Sequence, residues 1–137
     1  MKLRSATSAD IAAVLSLWRA AGAEVSATDD EDGVAALLKR DPEGLIVADD
    51  DGVIIGTAIA AWDGWRGNIY RVAVHPDRRR ERIALALIGQ AEHRLRARGA
   101  RRITLIVVST EPVAMAFWRS CGYAEQTDRS RFVKNLD

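Results

Sequence analysis

Between Ile69 and Val108 the apolar side chains change their period, and that change constrains the fold more than any other feature of the chain. Ile69 to Val74 is a short apolar run closed by His75-Pro76-Asp77, the pattern of a strand that ends in a turn. Ile83, Leu87, Ile88, Ala91 and Leu95 then recur at helical spacing, so Arg79 to Arg98 reads as a long amphipathic helix that Gly99 closes. Ile103 to Val108 is β-branched and apolar again, a buried strand. Strand, long helix, strand is the connection that parallel pairing needs.

The rest of the chain supplies antiparallel partners. Met1 to Ser5 alternates like an edge strand, and Thr7 or Ser8 opens a helix whose apolar face is Ile11, Val14, Leu15 and Trp18, with Gly22 to end it. The acidic run Thr28 to Asp32 precedes a shorter helix through Val34, Leu37 and Leu38, ending near Arg40-Asp41-Pro42. Leu45 to Ala48 and Val53 to Ala61 flank Asp49-Asp50-Asp51-Gly52, a strong hairpin signal, and Asp63 to Gly67 is a second turn. Pro112 to Ser120 reads as a short helix that Gly122 terminates, followed by a final strand or hairpin over Tyr123 to Lys134. The order βααβββαβαβ defines an α/β (α+β) class with a mixed sheet in one domain, residues 1–137.

Composition agrees. With 137 residues, 48% hydrophobic and 28% charged, the chain can bury a core without staples. Its longest apolar or small stretch, Val53 to Trp62, is too short to cross a bilayer. No apolar leader follows Lys2 and Arg4, and the lone Cys121 excludes an internal disulfide, so a cytoplasmic protein is expected. His75 and His93 are far apart and unsupported by cysteines, so no metal site is expected.

Charge is unevenly placed. Residues 1–65 hold 5 Lys/Arg and 12 Asp/Glu, residues 66–137 hold 15 and 7, which gives −7 against +8. The basic half calls for an anionic partner. Arg78, Arg79, Arg80 and Arg82 sit at the start of the long helix, where the dipole and free N–H groups favour anions and disfavour clustered cations. A bound polyanion such as a diphosphate resolves the conflict; a solvated arginine-rich surface is the plainer reading, since the chain uses 17 Arg against 3 Lys.

The segment Val72-Ala73-Val74-His75-Pro76-Asp77-Arg78-Arg79-Arg80-Glu81-Arg82-Ile83-Ala84 resembles the acetyl-CoA segment of the GCN5-related N-acetyltransferases, with its Q/R-x-x-G-x-G/A signature after a V-x-P turn. Asp10-Ile11 with Leu17-Trp18, Val53 to Gly56, and Ala116-Phe117-Trp118 before Gly122-Tyr123 fall in the family's order, so the resemblance covers essentially the whole chain. It implies a mostly antiparallel sheet of about six or seven strands, splayed between the fourth and fifth and flanked by about four helices. Acetyl-CoA would enter the gap, with backbone groups of Val72, Ala73 and Val74 on the pantetheine and thioester. Arg79, Arg80, Glu81, Arg82, Ile83, Ala84 and Leu85 would hold the pyrophosphate. The reaction implied is direct attack of an amine, on a small molecule or a protein, upon the thioester in a ternary complex. The acidic N-terminal half favours a cationic acceptor, the family's exposed edge strands allow a homodimer, and neither membrane nor nucleic acid is an expected partner; Arg94, Arg96, Arg98, Arg101 and Arg102 crowd a helix end where cations suit the dipole.

The chain departs from the family pattern at four places, one of them Glu111 at a helix start where peptide-acetylating members carry asparagine. Arg82 stands at a motif glycine, Trp118 at a position that is tyrosine in many members, and Ile106 where peptide-acetylating members carry glutamate. If the Arg82 site requires φ > 0, a non-glycine residue costs about 1–2 kcal/mol. For proton transfer Tyr70, Cys121 or Tyr123 remain as acids, Glu24, Asp63, His75 or Glu111 as bases, and the thiolate can also leave unassisted; spacing does not choose, and we select Tyr70, Tyr123 and Glu111. Plainer roles stand beside these: the tyrosines as packed aromatics, His75 as a turn residue, Cys121 as a small filler. The alternative function is a catalytically weak acyl-CoA or CoA-binding module with a degenerate pyrophosphate loop.

Overall fold

A computed structural model describes residues 1–136 and resolves the chain into two compact units, Met1–Leu105 and Ile106–Asp137. In the first unit the elements are β1 (Lys2–Ser5), α1 (Ile11–Ala20), α2 (Glu31–Arg40), β2 (Leu45–Asp50), β3 (Val53–Trp62), β4 (Gly67–Val74), α3 (Ile83–Ala97) and β5 (Ile103–Leu105). The sheet order is β1-β2-β3-β4-β5, antiparallel throughout except for the parallel β4–β5 pair. The α3 crossover therefore does what its strand-helix-strand pattern demanded.

Helices cover both faces. Val14, Leu15, Leu17 and Trp18 of α1 and Val34 of α2 pack with Leu45, Val47 and Ile59 of the sheet. On the opposite face α3 buries Ile83, Leu87, Ile88, Ala91 and Leu95. Gly56 seats that helix: a Cβ there would meet Leu87 Cδ1 at 2.9 Å, Ile83 Cγ2 at 3.1 Å and the Ala73 carbonyl oxygen at 3.2 Å. The α2 N-terminus is held by Asp30, whose carboxylate accepts from the Gly33 amide at 2.7 Å.

The second unit contains α4 (Pro112–Ser120), with Glu111 at its N-cap. Two expectations are corrected. Among the described residues the sheet has five strands rather than six or seven, and residues 123–134 form no strand or hairpin. Beyond Tyr123, that stretch is mostly polar and charged, and its large apolar residues Phe132 and Val133 are both exposed, so it lacks the alternation that fixes a register. Strand β5 is also shorter than its apolar run, ending at Leu105.

Candidate functional site

Strand β4 outlasts its parallel neighbour. Gly67, Asn68 and Ile69 pair with Ile103, Thr104 and Leu105, and the pairing stops there. From Tyr70 to Val74 the strand keeps β3 on one side, but its other side has no strand partner in the first unit. An open backbone edge inside a sheet is a ready acceptor for an extended ligand.

The same stretch carries a bulge. Ile59 faces Tyr70 and Thr57 faces Ala73, so β4 spends one extra residue between them. Arg71 takes it up in the left-handed region, at φ 52°. Thr57, with no exposed surface, donates its hydroxyl to the Arg71 carbonyl at 2.8 Å and accepts the Trp18 indole N–H at 2.8 Å. Both polar capacities of this buried hydroxyl are met, which fixes the bulge from beneath.

At the end of β4, His75 starts a turn in which its Nδ1 accepts from the Asp77 amide at 3.1 Å. The ring serves the turn, as its plainer reading held. Helix α3 begins four residues later than its arginines suggested, at Ile83, because Arg80 (φ 70°) and Arg82 (φ 61°) are both left-handed. The first helical bond runs from the Ala86 amide to the Arg82 carbonyl at 3.1 Å, which leaves the amides of Ile83, Ala84 and Leu85 outside the ladder.

The arginines divide into two pairs. Arg78 is spent on Asp50 at 2.7 Å and Glu81 at 2.9 Å, so the carboxyl of Glu81 is held below its usual range by that guanidinium and its charge is locally neutralised. Arg79 reaches the Ala21 carbonyl at 3.4 Å. Arg80 and Arg82 are exposed and make no ion pair or hydrogen bond among the described residues. Two free guanidinium forks next to three unbonded amides is the donor set a phosphate chain needs.

Of the proton-transfer candidates, Tyr70 stands on β4, 47% exposed, across from Ile59 and hence on the α1 face of the sheet. Glu111 and Tyr123 belong to the second unit. Glu111 is exposed at the start of α4, and the Tyr123 ring meets Trp118 edge-on at 5.3 Å. Asp63, a further candidate base, is committed to its turn: it accepts from the amides of Arg66 and Trp65 at 2.7 and 2.8 Å, which holds its carboxyl below the usual range. Sequence reasoning missed Arg71 and Thr57, and it read Asp29 only as part of the acidic run that would attract a cationic acceptor. The one available signal was Thr57, the single polar side chain in the run Val53 to Ala61.

The sequence and the fold have counterparts. The sequence pattern of the Acetyltransferase (GNAT) family matches residues 11–123. A protein named an acetyltransferase in Pectobacterium atrosepticum is 33% identical over 123 residues, covering 90% of this chain and 87% of that one. Among solved structures, Ard1 from Thermoplasma volcanium shares the fold at a TM-score of 0.83, with 19% identity over 92% of this chain and 84% of its own. The PaiA N-acetyltransferase of Thermoplasma acidophilum, solved in complex with coenzyme A, shares it at 0.75, with 14% identity over 88% of this chain and 87% of its own.

Proposed function

Because the chain belongs to the acetyltransferase (GNAT) family, we propose that it acts as one domain, in the cytoplasm, moving an acetyl group from acetyl-CoA to a primary amine by direct attack in a ternary complex. The observation that carries the reading is the juxtaposition of an unpaired β4 edge with a phosphate-ready helix start. Backbone groups of Val72, Ala73 and Val74 offer the hydrogen bonds of an added strand to the pantetheine arm. Arg80, Arg82 and the amides of Ile83 to Leu85 take the pyrophosphate, with Arg79 beside them.

When bound, acetyl-CoA supplies an activated acyl group and a thiol leaving group. The protein's part is to orient and to manage two protons. Tyr70, on the α1 face of β4, or Tyr123 is assigned to protonating the departing thiolate, and Glu111 to drawing the proton from the amine through water. The acidic first half favours a cationic acceptor.

Titration of the purified chain with acetyl-CoA by calorimetry, at low and physiological salt, tests the reading. Binding in the micromolar range that weakens with salt is expected, followed by CoA release with members of an amine panel. Absence of binding at both salt concentrations rejects it. Arg82, Trp118 and Ile106, standing where family members carry glycine, tyrosine and glutamate, favour a second reading, a catalytically weak acyl-CoA or CoA-binding module; binding without release from any amine would select it.

A further inference from the structure

Residues 21–30, between α1 and α2, form a loop that is closed largely upon itself. Asp29 accepts from the Ser26 amide at 2.8 Å while its own amide donates to the Ser26 carbonyl at 3.1 Å. The Ser26 and Thr28 hydroxyls are 3.3 Å apart. Most of the loop is exposed, Val25 at 75%, so apolar burial contributes little to holding it on the sheet.

Ala23 packs on the core and Arg79 reaches the Ala21 carbonyl near the start of the loop, but the rest of it is tied down by a single β4 side chain. The Arg71 guanidinium forks onto the Asp29 carboxylate through Nε, at 3.2 Å, and Nη2, and the same Nη2 donates to the Glu24 carbonyl at 2.9 Å. Its Cζ lies 5.6 Å from the centroid of the Trp18 ring, within cation–π range. Asp29 answers in kind: burial alone would raise its carboxyl, but the Ser26 amide and the Arg71 guanidinium bring it below its usual range. Arg71 is also the bulge residue, with its carbonyl pinned by Thr57. One residue thus shapes the open β4 edge with its backbone and carries the loop with its side chain.

We propose that Arg71 is a positioning residue that latches loop 21–30 to the β4 bulge, so that the loop walls the acceptor face beside Tyr70. The inference rests on the amine-acetylation reading for the identity of what enters there. Tyr70 and the α1 core share one face of the sheet, whereas the seat of α3 at Gly56 is on the other. The phosphate end meets the loop only where Arg79 reaches the Ala21 carbonyl at 3.4 Å, at the α1 end of the loop and away from the Glu24 and Asp29 latch points, so releasing Arg71 alters access of the amine.

Arg71→Gln, Arg71→Lys and Asp29→Ala, made in the full chain, test this by amide hydrogen exchange, calorimetry and steady-state kinetics. Gln and Lys meet the same backbone requirement at φ 52°, so their difference reads the side chain alone. Arg71→Gln and Asp29→Ala are expected to speed exchange over residues 22–30 about tenfold without changing α3, with Arg71→Lys closer to the native chain. The KM for the amine should rise about tenfold with kcat within about twofold, and the Kd for acetyl-CoA should not move. Unchanged loop exchange in all three variants overturns the latch, as does a parallel loss of acetyl-CoA affinity. If the native chain binds no acetyl-CoA, the functional reading fails while exchange still decides the latch; if it turns over and the loop is indifferent to Arg71, the latch fails and the functional reading stands.

Discussion

Arg71, Arg80 and Arg82 all adopt a backbone conformation that glycine takes freely and that costs an ordinary side chain about 1–2 kcal/mol. Their sequence hides the fact. A glycine at any of these positions would have announced a bulge or a left-handed cap; arginine announces only charge. This is why the bulge went unread, and why the helix was expected to start at Arg79 rather than Ile83. Replacing Arg82 with glycine should raise the unfolding free energy by about 1 kcal/mol, since relief of strain exceeds the flexibility glycine adds to the unfolded chain; a urea midpoint measures it. Thr57 behaves oppositely. Thr57→Val removes the acceptor of a buried indole N–H and the donor to the Arg71 carbonyl. It should lower stability by about 1–3 kcal/mol on the same scale, with little change in volume.

Among the elements, those with a strong periodic signal were legible. The β2–β3 hairpin follows from Asp51-Gly52, whose φ angles of 55° and 88° are the two positive values its turn needs. Helix α4 occupies the residues its apolar spacing and flanking Pro112 and Gly122 indicated. The expected terminal strand did not form because residues 124–134 hold few apolar side chains and no alternation, so nothing specifies a partner or a face. Of the candidate site, the cluster of arginines at a helix start was legible in the sequence, but the division of labour within it was not. Which arginine is neutralised depends on Asp50, which is 28 residues away in sequence. The seat of α3 is equally invisible locally, and it has a clear consequence. Gly56→Ala would press a methyl group on Leu87, Ile83 and the Ala73 carbonyl. A loss of about 1–3 kcal/mol is expected, read as a lower thermal midpoint.

Across the whole molecule, charge ties sequence-distant parts together. Arg4 binds Asp10 at 2.8 Å and Asp49 at 3.0 Å, and Arg98 forks onto Asp41 at 2.7 and 2.8 Å. The carboxyls of Asp10, Asp41 and Asp49 are all held below their usual range, chiefly by these guanidiniums. Each binds a proton more readily when unfolded, so its stabilisation is complete above the unfolded value, near pH 4, and is lost as pH falls through the lower folded values. Denaturant midpoints measured from pH 7 downward should therefore hold until about pH 4–5 and then decline. Asp41→Asn should lower the neutral plateau and flatten the decline.

The sheet's spatial order, β1-β2-β3-β4-β5, is also its order along the chain. No strand has to insert between two others, and no earlier pairing has to reopen. A polypeptide emerging from the ribosome can lay each new strand on an edge already formed, and the one delay is the wait for α3 before β5 can dock. Assembly from the N-terminus is thus a matter of addition alone, and the open edge of β4 is among the last parts of the sheet to be synthesised.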